Sequence, residues 1–444
     1  AVLAPAPPLP RVPPSRQLQW PPLRRSGPPH GMTTNGAAAA AAAAVAHCVS
    51  DIEVADFVAL DLEFSGLFLS TERGDRQAMT LEAYFKKCVE SIPHFLPLQL
   101  GICCVRHRPK GGAGDGGPWE LRAHEFNLWP SDRRLFTSDL QSLRFLRAHG
   151  FDFNTFFERA HAYARLPEAA SDAAGAAAAA AAIRRLAPSH ASRILEALRT
   201  ANVPLVVHNG LLDLLHLWDK FFGELPEKME EFNRSWVSHF PMLFDTRLIA
   251  SEGRFQVLKH AGGLSLEELH RHLLGLSRSD APQVTLERAG PLLEGGPNGN
   301  GAGGTAHGSS AFDATLTAEV FLMEMDLWIR SADGSGGGSS GSAGSRKRRK
   351  VAEAGSAADA AAAPGAETDG GDAGGWTVVG GGGGGGKRHL EDGSGKARGA
   401  GGLTSPAQLE THRACKRFHN RLAVVGASPG FIDLGPPPGP SFPT

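Results

Sequence analysis

Four carboxylates interrupt segments that are otherwise apolar, and their positions restrict where a fold can put them. The first two stand in FVALDLEFSGL, residues 57–67, where Phe57 to Leu60 read as a buried strand. Residues i and i+2 of a strand share a face, so Asp61 and Glu63 project side by side just before the Ser65-Gly66 turn. Adjacent carboxylates repel and are costly to take out of water, which calls for a cation between them. Mg²⁺ or Mn²⁺, hard ions that take oxygen ligands, suit the pair. Taken alone, the D-x-E pair is also what a solvated acidic strand end looks like.

Two later segments repeat the theme. In VPLVVHNGLLDLLHLWDKFFGELP, residues 203–226, a short apolar strand from Pro204 to Val207 meets a His208-Asn209-Gly210 turn, and a helix follows. Asp213 lies in the first turn of that helix, among Leu211, Leu212, Leu214 and Leu215. In HGSSAFDATLTAEVFLMEMDLWIR, residues 307–330, a polar loop again leads into a helix with Asp313 in its first turn. Either Asp alone reads as a helix-start residue, stabilised by the helix dipole. The ordered set D-x-E, Asp, then His and Asp is far more specific.

With these residues in that order, the chain resembles the DEDD 3′→5′ exoribonucleases. The flanking residues place the resemblance in the Caf/Pop/PARN deadenylase family. FVALDLEFSGL, QSLRFLRAHGFDFN (141–154), PLVVHNGLLDLLHLWDKFFGELP and HFPMLFDTRLIASE (239–252) look most like its nuclear target-of-early-growth-response branch, over roughly residues 50–330. The resemblance implies an α/β, RNase-H-like fold: a mixed sheet flanked by helices, with disordered insertions. It also implies two catalytic Mg²⁺ ions (Mn²⁺ being possible) and removal of nucleotides from a single-stranded RNA 3′ end, adenylated tails of nuclear RNAs such as small nuclear RNA among them. By the same resemblance, Asp61 bridges the ions, Glu63, Asp213 and Asp313 complete the ligand set, and His307 is the general base. His307 stands one residue further from Asp313 than the family pattern has it. A catalytically silent RNA-binding scaffold on the same fold and a PARN-like poly(A)-specific ribonuclease are the alternatives.

The chemistry fits the resemblance. Phosphodiester hydrolysis needs charge neutralised at the scissile phosphate and an activated water, and two ions about 3.5–4 Å apart provide both. A histidine near its ordinary pKa suits the proton transfer. His208 reads as orienting backbone, Asp245 of the FDTR segment as a sheet-end support, and Asp219 and His216 as surface or outer residues. Phe151, Phe153, Phe156 and Phe157 offer stacking for bases, though core packing is the expected fate of most.

The remaining composition sets bounds. A net charge of −1 gives no global field for nucleic acid, so any positive surface must be local. Five cysteines show neither paired zinc spacing nor a disulfide framework, which suits a reducing compartment. No apolar run is long enough to span a membrane. Residues 1–46, Pro/Arg-rich and then poly-Ala, read as disordered, resembling a transit segment or a stretch upstream of the true start at Met32. Residues 47–330 read as the nuclease domain. Residues 331–410 read as a disordered Gly/Ala/Ser insert whose SRKRRKV run (345–351) resembles a signal for a nuclear import receptor, hence a nuclear location. Residues 411–435 regain strand-like alternation and read as the last strand region of the domain, with 436–444 a tail.

Overall fold

The alternation along residues 57–64 decides the layering of the molecule. The computed structural model describes residues 34–69, 79–109, 117–132, 135–167, 173–252, 264–276, 282–290, 309–334 and 402–436. Its strands in chain order are β1 (Phe57–Phe64), β2 (Met79–Thr80), β3 (Pro97–His107), β4 (Trp119–Pro130), β5 (His161–Tyr163), β6 (Leu205–Val207), β7 (Leu243–Asp245), β8 (Leu286–Ala289), β9 (Arg421–Ala423), β10 (Ala427–Ser428) and β11 (Phe431–Asp433). Seven form one sheet in the order β5-β4-β3-β1-β6-β7, with β8 also paired to β4. β3 is antiparallel to β1 and β4, while β6 runs parallel to β1 and β7 parallel to β6. This is the mixed sheet of the RNase-H-like fold, with helices on both faces.

Phe57 and Ala59 point to one face, where they pack with Ala314, Ala318, Phe321 and Met325 of the helix Ser310–Gly334. Val58, Leu60 and Leu62 point to the other, against Val45, Cys48 and Ile52 of the helix Thr34–Glu53 and Leu195 and Leu198 of the helix Ser192–Ala201. Each of the Val, Leu, Ile, Phe and Met side chains among these contributes about 1.5–3 kcal/mol by leaving water. Period two then carries Asp61 and Glu63 onto the Phe57–Ala59 face, the one covered by the long helix.

Among the described residues, regular structure is already present before residue 46. Thr34–Glu53 is helical, so the boundary at residue 46 falls inside an element that had been read as partly disordered. Alanine is the strongest helix former, and Val45, Cys48 and Ile52 supply the buried stripe that holds the run against the sheet. At the other end, the long helix continues to Gly334 rather than stopping at 330. The chain is described again from Gly402, with Leu403 and Leu409 buried, so the stretch read as an insert up to residue 410 is packed chain from 402 onward. The basic run 345–351 lies outside the described residues. Asp219 and His216, read as outer residues, are buried. Asp219 bonds the fully buried ammonium of Lys220 at 2.6 Å, and that ammonium also donates to the Ile92 carbonyl at 2.9 Å.

The chain divides into two compact units, Ala1–Ile329 together with Gly402–Thr444, and Arg330–Gly401. In the first, β9 and β11 pair as an antiparallel hairpin, and Leu422, Val424, Ile432 and Leu434 join the core on the N-terminal-helix face. Asn420 anchors this return. Its backbone sits in the left-handed region at φ 55°, where Asn is among the few tolerated residues. Its side-chain oxygen accepts from the Leu243 N–H at 3.0 Å, and its amide nitrogen donates to the carbonyls of Pro241 at 2.9 Å and Gly435 at 3.1 Å. Asn420→Ala strands these buried groups, and at about 1–3 kcal/mol for each unsatisfied group it should lower the free energy of unfolding by on the order of 2 kcal/mol or more. Urea denaturation measures this, and an unchanged midpoint would show that the C-terminal return is not held by Asn420.

Candidate metal centre

Three elements converge where β1 ends. β1 brings Asp61 and Glu63, the long helix brings Asp313 in its first turn, and one oxygen from each lies within 4.8 Å of the others. Asp213 is in the first turn of the helix Leu211–Leu217, which follows β6 after the His208-Asn209-Gly210 turn. Its Oδ1 accepts from the Leu62 N–H at 3.0 Å, so this carboxylate grips β1 between the two strand acids. The structure therefore brings Asp61, Glu63 and Asp313 into one cluster with Asp213 beside it. His307 lies outside the described residues.

The electrostatics show what such a cluster lacks. Burial holds the Asp61 carboxyl well above its ordinary range, and the charges that reinforce this are Asp213, Asp313 and Glu63. Burial pushes Glu63 up to about 8, again helped by Asp313, Asp213 and Glu125. Burial also pushes Asp213 up to about 7, against the pull of backbone N–H groups that favour its charged form. A divalent cation removes this strain by satisfying the carboxylates together. The donor set is oxygen only and compact, which fits Mg²⁺ or Mn²⁺ and is a poor match for softer metals.

Asp61, Glu63 and Asp213 line a cleft of about 550 Å³ whose walls include Phe64, Phe145 and Asn209. Phe145 is exposed, as is Phe157, whereas Phe151 and Phe156 are buried in a satellite core. Behind the cleft, Asp245 ties the parts together. Its Oδ1 accepts from the N–H groups of Asn209 at 3.0 Å and Arg247 at 2.9 Å, and its Oδ2 from Ala423 at 3.0 Å. Burial nonetheless raises its carboxyl to about 6. His208 is locked: Nε2 faces the Leu264 carbonyl at 3.0 Å, leaving Nδ1 to accept from the Thr246 hydroxyl at 2.8 Å. Burial pushes its pKa down to about 4, so it stays neutral and orients backbone.

Sequence reasoning passed over three residues at the site. Gly101 and Gln99 on β3 and Glu125 on β4 share the face of Asp61, since the register pairs Asp61 with Gly101, Glu63 with Gln99, and Gly101 with Glu125. The signal was available in WELRAHEFNLWP, where period two puts Glu125 on the same side as Trp119 and Leu121, an acid on an apolar face.

Folded-state pKa values above their ordinary values set the sign of a pH effect. Folded protein then holds protons that unfolded chain has released, so stability falls as pH rises from about 4.5 toward 8 for Glu63. In chelator, the melting temperature should decline between pH 6 and 8, and Glu63→Gln should flatten that decline. Excess Mn²⁺ should raise the melting temperature more at pH 8 than at pH 6. A chelated wild type whose melting temperature climbs over this range in parallel with Glu63→Gln would contradict the cluster's electrostatics.

The chain is similar to several known ribonucleases. The sequence model described as CAF1 family ribonuclease matches residues 39–181 and 176–321. The poly(A)-specific ribonuclease PARN of Danio rerio is 39% identical over 82 residues, 18% of this chain and 12% of that protein. The 3′-5′ exoribonuclease parn-1 of Caenorhabditis elegans is 30% identical over 145 residues, 31% of this chain and 24% of that protein. The chain thus spans less than a quarter of the length of these curated relatives. Among solved structures, the Mg²⁺- and Mn²⁺-bound form of S. pombe Pop2p aligns with a TM-score of 0.37 at 15% identity, over 66% of this chain and 90% of that one. The chain belongs to the CAF1 family of ribonucleases.

Proposed function

We propose that this protein is a divalent-metal-dependent 3′→5′ exoribonuclease that removes adenylates from RNA 3′ ends. The observation that carries the reading is the half-buried triad of Asp61, Glu63 and Asp313 within 4.8 Å, with Asp213 bonded to the backbone between the two strand acids. Phosphodiester hydrolysis is the reaction such a set serves. The names of the relatives, poly(A)-specific ribonuclease and 3′-5′ exoribonuclease, support the substrate class.

Asp61, Glu63, Asp213 and Asp313 hold two Mg²⁺ or Mn²⁺ ions in this reading. Ions bound there would supply charge neutralisation at the scissile phosphate and a lowered pKa for the attacking water. The protein supplies the rest. Three of the four half-buried acids, Asp61, Glu63 and Asp213, face a cleft that leaves room for substrate oxygens beside them. The cleft beside them leaves Phe64 and exposed Phe145 to stack against the terminal bases, an RNA 3′ end being single-stranded and its bases free. His307, three residues before the long helix in sequence, takes the proton from the attacking water. The run at 345–351 serves nuclear import, and the substrates are adenylated nuclear RNAs of the kind handled by the target-of-early-growth-response branch.

Two measurements test the reading. Asp61→Ala removes an oxygen ligand and should abolish trimming of a 3′-adenylated oligonucleotide in Mg²⁺ while the protein remains folded; equal rates from folded wild type and variant would remove the metal centre from the mechanism. His307→Ala should slow single-turnover hydrolysis by about 10²–10⁴-fold, the usual loss for a general base, with Mn²⁺ affinity unchanged. A rate within about threefold of wild type, far below that range, would exclude His307 as the base.

A further inference from the structure

The helix that carries Asp313 is seated on the sheet by side chains that the proposed mechanism leaves unused. The first N–H groups of any helix lack partners within it. Here the Ser310 N–H donates to Gln99 Oε1 at 2.9 Å, and the Ser310 hydroxyl donates to the same oxygen at 3.1 Å. The Ala311 N–H donates to the Glu125 carboxylate, which also accepts from the Ser309 hydroxyl. Gln99 is itself fixed, its Nε2 donating to Asn127 Oδ1 at 3.0 Å. Between these two contacts lies Gly101, where a Cβ would stand 1.9 Å from the Ser310 carbonyl oxygen.

The register makes this arrangement more than a cap. Asp61, Gly101 and Glu125 form one rank across the sheet, and Glu63, Gln99 and Asn127 form the next. The two ranks that present the strand acids therefore also hold the helix that presents the third acid. A local Ser or Asp cap would satisfy the same N–H groups but would travel with the helix. Caps borne by β3 and β4 fix the helix to the sheet. Glu125 is the stronger of the two because its carboxylate meets the positive end of the helix dipole. Its own oxygens are engaged by Ser309 and Ala311, and it stands outside the group whose oxygens lie within 4.8 Å of one another.

We propose that Glu125 is a positioning residue that, with Gln99, sets the place of Asp313 relative to Asp61 and Glu63 and thereby the affinity of the site for a divalent ion. The proposal rests on reading the acid cluster as a metal centre. Partners of this kind, one layer behind the ligands, commonly carry 10–100-fold of metal affinity or activity.

The test is Mn²⁺ titration of the full chain, with single-turnover trimming and amide hydrogen exchange measured alongside, for wild type, Glu125→Ala, Glu125→Gln and Ser309→Ala. Glu125→Ala should weaken Mn²⁺ binding about 10–100-fold, and saturating Mn²⁺ should bring its single-turnover rate back toward wild type. Glu125→Gln keeps an acceptor oxygen and should lose less, and Ser309→Ala, which removes one donor only, should fall between Glu125→Gln and Glu125→Ala. Exchange should quicken across residues 310–316 and stay unchanged across β1. In an Asp313→Asn background, Glu125→Ala should add nothing further to the loss of Mn²⁺ affinity, because it acts through Asp313. Wild-type affinity and exchange in Glu125→Ala, or a fully additive loss in the Asp313→Asn background, would overturn the proposal. A wild type that binds Mn²⁺ but trims no RNA would instead overturn the proposed function and leave the positioning role standing.

Discussion

The fold is organised around the cost of bringing carboxylates together out of water. Asp61 and Glu63 sit on the face of β1 that otherwise packs Phe57 and Ala59 against the long helix, and Asp313 descends onto them from that helix. Burial and neighbouring negative charge hold the carboxyls of Asp61 and Glu63 well above the ordinary carboxylate range. Such a cluster survives only where surrounding structure over-determines its geometry. The sheet does so through backbone and side-chain bonds that immobilise each acid-bearing element: Leu62 to Asp213, Gln99 to Ser310, and Glu125 to Ser309.

A second set of bonds links the site to the C-terminal return of the chain. Asp245 at the end of β7 accepts from Asn209, in the turn that launches the Asp213 helix, and from Ala423 of β9. One carboxylate therefore ties the acid-bearing part of the sheet to residues that follow the Arg330–Gly401 unit in sequence. Asn420 closes the same junction from the other side, against Pro241 and Leu243. Glu324 of the long helix is also fully buried and its charged form is disfavoured, with Asp245 as the neighbouring charge. The interior behind the site thus carries acid beyond the four carboxylates gathered at the end of β1.

Much of the fold could be read from local pattern. Period-two alternation in FVALDLEF gives the strand, its two faces and the adjacency of Asp61 and Glu63, because side-chain direction along a strand is a local property. The placement of Asp213 and Asp313 in first helical turns follows in the same way from a turn signal before an apolar run. Local pattern misled where composition was taken for disorder. The alanine run before Val45 is helical because a few apolar residues further along give it a surface to dock on.

The sequence by itself determined which residues are acidic, which face of its element each one occupies, and which segments alternate like buried strands. Only the tertiary structure decided that Asp61 and Asp313, 252 positions apart in the chain, meet within 4.8 Å. It also decided that Gly101 lies between Asp61 and Glu125 so that the long helix can touch the sheet. It decided too that Asn420 returns to β7 after the Arg330–Gly401 unit. The physical reason is that register and helix docking are set by pairing between distant strands, and no local periodicity encodes which strands become neighbours.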